Sequence, residues 1–118
     1  AVKIYDDFAH HPTAIRLSSN AIRNKYPDRK IIGIIELGSN TMSSGYHEEN
    51  LLDSFESINQ ALILDPKGKY QGDNIFQSID NLIEELIKKI KDYDIILIMT
   101  NKDSQKFIQP ILKSLEEK

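Results

Sequence analysis

The chain has 118 residues, 40% hydrophobic and 28% charged, with a formal net charge of -3. That is the composition of one globular domain able to bury a core, and it argues against disorder. The acidic balance gives no basic footprint for nucleic acid, and the absence of cysteine excludes disulfides and thiolate zinc sites. No apolar run approaches the ~20 residues that span a bilayer. The start shows no signal-peptide pattern, so the expected compartment is the cytosol, with no membrane partner.

The first apolar run, Val2–Tyr5, is short and ends at an unusual cluster, "DDFAHHP" (Asp6–Pro12). A helix is predicted from Pro12 to Tyr26, with Ala14, Leu17 and Ala21 on one face and proline at its first position. The second run, "IIGIIEL" (Ile31–Leu37), leads into "GSNTMSSG" (Gly38–Gly45). A helix from about His47 to Ile58 is expected from Leu51, Leu52, Phe55 and Ile58. The third run is Ala61–Leu64, followed by the loose stretch Asp65–Asn74, read as a turn or a short extra strand. Ile79, Leu82, Ile83, Leu86, Ile87 and Ile90 recur at helical spacing. The opposite face of that helix offers Glu84–Lys88 and Glu85–Lys89 pairs, four apart with the acid first. A fourth run, Ile95–Met99, precedes "TNKDS" (Thr100–Ser104) and a last helix over about Ser104–Glu117, which Pro110 either kinks or whose main part it starts.

The four runs do not alternate with polar residues, as expected of strands buried on both faces of a parallel sheet. Strand and helix alternating along the chain predict an α/β fold. It is a Rossmann-like, three-layer domain with a mostly parallel sheet and helices on both faces. At least four parallel strands are expected. Ligands of such sheets gather outside the carboxyl ends of the strands. The loops leaving those ends are Asp6–Pro12, Gly38–Gly45, Asp65–Lys69 and Thr100–Ser104.

Four readings of the cluster compete. Asp6, Asp7, His10 and His11 are sequence neighbours, and neighbours rarely converge on one ion, which disfavours a metal site. A histidine acid–base pair lacks a marked nucleophile beside it. A strand-to-helix turn explains the proline, a capping His11 and acids near the positive helix end. A nucleotide contact explains a carboxylate at a strand end, able to accept from ribose hydroxyls. The phosphate loops GxGxxG and GxxxxGK[ST] are both absent, so phosphates would need another cradle.

The quoted residues also carry a family resemblance. "YDDFAHHPTAI" resembles the opening of the C-terminal domain of the Mur ligases, ATP-dependent enzymes that build the peptide of bacterial cell-wall precursors. The DD-aromatic-small-HHP pattern resembles the branch that acts directly on UDP-N-acetylmuramate. Phe8 and Ala9 favour its murein-recycling members over the alanine-adding ones, which usually read DDYGHHP. "ELGSNTMSSG" (Glu36–Gly45) is similar to the recycling block EPRSNTM, and "DIILIMTN" (Asp94–Asn101) to the last core strand. The resemblance runs from Val2 to about Leu115.

The resemblance implies a three-domain enzyme of which residues 1–118 form the C-terminal domain, with the UDP-sugar domain and the central ATPase domain elsewhere. ATP and Mg would be held mainly by the central domain, which leaves no catalytic or metal-binding residue here and an isolated chain without activity. The partners implied are UDP-N-acetylmuramate and the murein tripeptide L-Ala-γ-D-Glu-meso-diaminopimelate. On the ATP side, Asp7 matches the acid near the ribose, Asp6 supports the turn, Phe8 packs against the nucleotide, and His10 and His11 position the loop. On the peptide side stand Ser39, Asn40, Thr41 and Met42.

Two departures fall on the peptide side. Leu37 and Gly38 replace Pro-Arg, removing a cation that would pair with a peptide carboxylate, and Thr100–Phe107 lacks the glycines expected there. Lys102 is the candidate replacement cation. Alternatives are the same domain of the alanine-adding ligase, a stand-alone Rossmann-like nucleotide- or partner-binding module, and a degenerate domain kept for structure.

Overall fold

The computed structural model describes residues 2–7, 9, 12–37, 53–68, 70–100 and 102–116. Its strands are β1 (Lys3–Asp7), β2 (Ile31–Glu36), β3 (Gln60–Leu64), β4 (Ile75–Phe76) and β5 (Ile95–Met99). Its α-helices are α1 (Pro12–Lys25), α2 (Ile79–Lys89) and α3 (Gln105–Glu116), with a 3₁₀ turn at Ile90–Asp92 after α2. The strands form one sheet in the order β1-β5-β2-β3-β4, and every pairing is parallel. The expected α/β architecture is therefore present.

Burial explains the strand order. β2 and β5 are buried along their whole length, as continuous apolar runs demand of central strands. β1, at one edge, is only partly buried, and β4 closes the other edge with two residues. Alternate side chains feed two separate cores. Ile31, Ile35, Ile63, Ile95, Leu97 and Met99 pack with Ile15 and Ile22 of α1 and with Phe55 and Ile58. Ile32, Ile34, Leu62, Leu64, Ile96 and Ile98 pack on the other face with Leu82, Ile83 and Leu86 of α2 and Phe107 and Ile111 of α3. Helices thus cover both faces. Gly33 allows one close approach: a Cβ there would lie 2.7 Å from Ile58 Cδ1.

Several boundaries differ from the sequence expectation. β1 runs two residues further, so Asp6 and Asp7 belong to the strand and not to the loop after it. An edge strand has one open side, where polar side chains meet water at little cost. The extra strand is β4, just beyond Asp65–Asn74, and that stretch opens with a turn in which Gly68 N–H donates to Asp65 C=O at 3.0 Å. Asp, Pro and Gly at the first, second and fourth positions of this turn fit its geometry. Of the helix expected over His47–Ile58, residues 47–52 lie outside the described residues. The described part is a turn over 54–57. α2 starts at a Ser78 cap, whose hydroxyl accepts from Asn81 N–H, and it carries the Glu85–Lys89 ion pair at 3.3 Å. α3 runs through Pro110, whose missing N–H leaves the Lys106 carbonyl without its helical partner.

Candidate functional site

The carboxyl ends of β1, β5 and β2 lie side by side. Asp7 pairs in register with Met99, and Met99 pairs with Ile35 on its other side. Asp6, Asp7, Glu36 and Thr100 therefore share one edge of the sheet, and the loops after β1, β2 and β5 leave from it.

Asp7 is held from two directions. Its Oδ1 accepts from the Ala9 N–H at 3.0 Å and its Oδ2 from the Ser18 hydroxyl at 2.7 Å. Ser18 is on α1, so the helix that follows the DDFAHHP loop steadies the acid that opens it. A carboxylate offers about four acceptor positions, so capacity remains for a hydroxyl of a ligand. Asp7 borders a cleft with Tyr5, Asp6, Leu17, Ala21 and Leu97. Its main-chain carbonyl also accepts from Thr100 N–H at 3.1 Å. Asp6 has a different partner, the Ser104 hydroxyl at 2.5 Å, which fastens the entry to α3 onto β1. The two adjacent acids therefore point to different supports, and neither is a shared ligand of one ion.

The centre of the edge is occupied by residues that the sequence reading did not select. Glu36, the last residue of β2, is only 3% exposed. Its Oε1 accepts from the Thr100 hydroxyl at 2.6 Å, and its Oε2 pairs with Lys106 Nζ at 2.5 Å. Thr100 Oγ1 in turn accepts the Lys102 N–H at 3.0 Å. A buried carboxylate demands such partners, because desolvation of an unpaired charge is costly. The available signal was an acid closing an otherwise apolar strand run, "IIGIIE". Lys102, the expected replacement cation, has an exposed side chain, and its main-chain N–H makes the contact to Thr100. Among the described residues the cation paired with Glu36 at this edge is Lys106, one turn further on.

Phe8, His10, His11, Gly38, Ser39, Asn40, Thr41 and Met42 lie outside the described residues. Among the described residues no three acids or histidines gather into a group able to hold a metal ion. Among them, too, no helix is long and apolar enough to cross a membrane.

Residues 1–102 match the family described as Mur ligase, glutamate ligase domain. The chain belongs to this family. Relatives of this Mur ligase domain include murein peptide ligases. An Escherichia coli protein named UDP-N-acetylmuramate–L-alanyl-γ-D-glutamyl-meso-2,6-diaminoheptandioate ligase is 31% identical, over 99% of this chain and 28% of its own length. A crystal structure of a murein peptide ligase from Psychrobacter arcticus superposes with a TM-score of 0.80 at 31% identity, covering 95% of this chain and 27% of that one. A crystallised domain assigned to the same kind of ligase from Haemophilus ducreyi gives a TM-score of 0.72 at 26% identity, covering 99% of this chain and 94% of that one. The chain thus spans less than a third of the length of the curated relatives it matches. In sequence and fold it resembles the matching domain of murein peptide ligases.

Proposed function

We propose that the chain is the C-terminal domain of an ATP-dependent ligase that joins the murein tripeptide L-Ala-γ-D-Glu-meso-diaminopimelate to UDP-N-acetylmuramate. Its part is to close over ATP and help bind the incoming peptide. One observation carries this reading: the two motif-bearing loops leave the same sheet edge, from strands separated by a single strand. Asp7 ends β1, Glu36 ends β2, and only β5 lies between them. A nucleotide at the first loop and an amine nucleophile at the second would then meet over a shared centre, as amide formation through an activated acyl group requires.

The described residues suit the ribose better than the metal. Asp7 is a fixed carboxylate with spare acceptor capacity at a strand end, while magnesium and the phosphates would fall to the central domain of the complete ligase. Asp7 would accept from the ribose, with Ser18 keeping its carboxylate in place. Phe8, His10 and His11 would shape the nucleotide loop. Ser39, Asn40, Thr41 and Met42 would line the peptide, and Lys102 would stand at the rim as an exposed charge. ATP supplies the activating phosphoryl group when bound. The reading places the reaction in the cytosol, where nucleotide precursors are made.

The test is ligation by the complete enzyme, supplied with ATP, UDP-N-acetylmuramate and either tripeptide or L-alanine. Product from tripeptide supports the reading. Product from L-alanine alone moves the chain to the alanine-adding branch.

A further inference from the structure

We propose that Lys106 is a substrate-binding cation of this edge, an ammonium held in place by buried Glu36 so that it receives an oxyanion of the ligand. The inference rests on the ligase reading above and names a residue for it.

The edge is acidic. Asp6, Asp7, Glu36 and Asp65 all end or follow strands there. Each is already bonded within the domain: to Ser104, to Ser18 and Ala9, to Thr100 and Lys106, and to Tyr70 N–H at 2.8 Å. Both proposed co-substrates are anionic, one through carboxylates and one through phosphates, so each must find a cation. Among the described residues the lysines at this edge are Lys67, Lys102 and Lys106. Lys67 and Lys102 are exposed on turns. Counting only partners among the described residues, Lys106 is the one of the three held by an ion pair, at 2.5 Å to a carboxylate that is 3% exposed. Its Nζ also lies over the Phe107 ring, 5.5 Å from the centroid.

A third of the Lys106 side chain remains exposed, so the pair is not sealed from the solvent side where a ligand arrives. An ammonium has three donors, and Glu36 engages one of them. A lysine on a flexible stem loses much entropy when it binds an anion, and pairing with a carboxylate removes that cost in advance. The same device, a lysine steadied by glutamate while it contacts phosphate, operates in protein kinases. Glu36 is therefore a positioning residue, and Lys106 the group that touches the ligand. The shared chemistry is an oxyanion, either a carboxylate of the acceptor peptide or a phosphate of ATP.

The experiment compares wild type, Lys106→Met and the double variant Glu36→Gln/Lys106→Met in the complete ligase, varying tripeptide and ATP separately. The double variant removes the cation while leaving no buried charge unpaired. A rise in KM of about tenfold or more for one co-substrate is expected in both variants, the size of one charge-assisted hydrogen bond. If the tripeptide KM rises, the oxyanion is a peptide carboxylate; if the ATP KM rises, it is a phosphate. Recovery of wild-type KM values in the double variant would make Lys106 a counter-ion of the fold only, and unchanged values in both variants would likewise overturn the proposal. A wild-type protein that ligates nothing defeats the ligase reading and not this one. Calorimetric titration with ATP and with tripeptide then decides: wild type must bind one of them at least about tenfold tighter than the double variant. Equal or absent binding overturns the proposal.

Discussion

Removing the Lys106 ammonium with Lys106→Met should destabilise the domain, and the structure sets the size of the effect. Glu36 is 3% exposed and has two bonded oxygens, one served by Thr100 and one by Lys106. The substitution keeps a stem of similar length and strips the charge from one oxygen. Breaking a fully buried pair costs about 3–5 kcal/mol. Here the lysine side chain is 33% exposed, so water can reach the orphaned oxygen and the loss falls to about 1–3 kcal/mol. At roughly 4 °C per kcal/mol for a chain of this size, Tm should drop by about 4–12 °C in a circular-dichroism melt. The Glu36→Gln/Lys106→Met variant should recover most of that drop, since a neutral amide still accepts from Thr100 and is cheaper to bury than a charge. A single variant that melts with wild type, or a double variant that melts as low as the single, would refute the reasoning.

Three further outcomes are expected. In the complete ligase Asp7→Ala should raise the KM for ATP by about tenfold or more, the worth of a charged acceptor, and leave that for UDP-N-acetylmuramate near normal. Equal effects on both would leave Asp7 with only its structural role at the end of β1. Asn40→Ala should raise the tripeptide KM and spare that of ATP; unchanged tripeptide kinetics would remove the Gly38–Gly45 loop from the peptide site. At the opposite end of the sheet, the Tyr5 hydroxyl bonded to Tyr26, together with Lys3 and Lys25, holds the Tyr26 phenol below its ordinary 10.0. The folded state then binds fewer protons than the unfolded state between that lowered value and 10.0, so stability rises with pH across this window and the gain is lost as pH falls through the folded value. Near-ultraviolet titration should show one early phenolate, which Tyr5→Phe moves back up; its persistence in that variant would exclude the Tyr5 contact as the main cause.

Much of this fold was legible because its central strands are buried on both faces. "IIGIIEL" and "IILIM" read as interior parallel strands, and β2 and β5 are buried throughout. α2 was legible for the complementary reason, a clean helical period with Leu82, Ile83 and Leu86 inward. The edges were harder. β1 carries Asp6 and Asp7 as strand residues, and nothing in an apolar count extends a strand through two acids. β4 is two residues long and is defined by its pairing with Ile63 and Leu64, not by its own pattern. The site was half legible for a similar reason. The motif at Asp7 is local and announces itself. Glu36 and Lys106 are 70 residues apart and meet only because β2 ends beside β5 and α3 begins above them. Lys102 was the nearest lysine in the loop, but a helical turn brings Lys106 back over the sheet.

The central claim is that this domain serves the ligation of a murein tripeptide to UDP-N-acetylmuramate. Mass-spectrometric detection of the product tests it most directly, with the complete ligase given tripeptide and L-alanine in competition under limiting ATP. The account predicts UDP-N-acetylmuramoyl-tripeptide as the main product, formed only with ATP present. A product carrying L-alanine alone, or no ATP-dependent product from either acceptor, would contradict it.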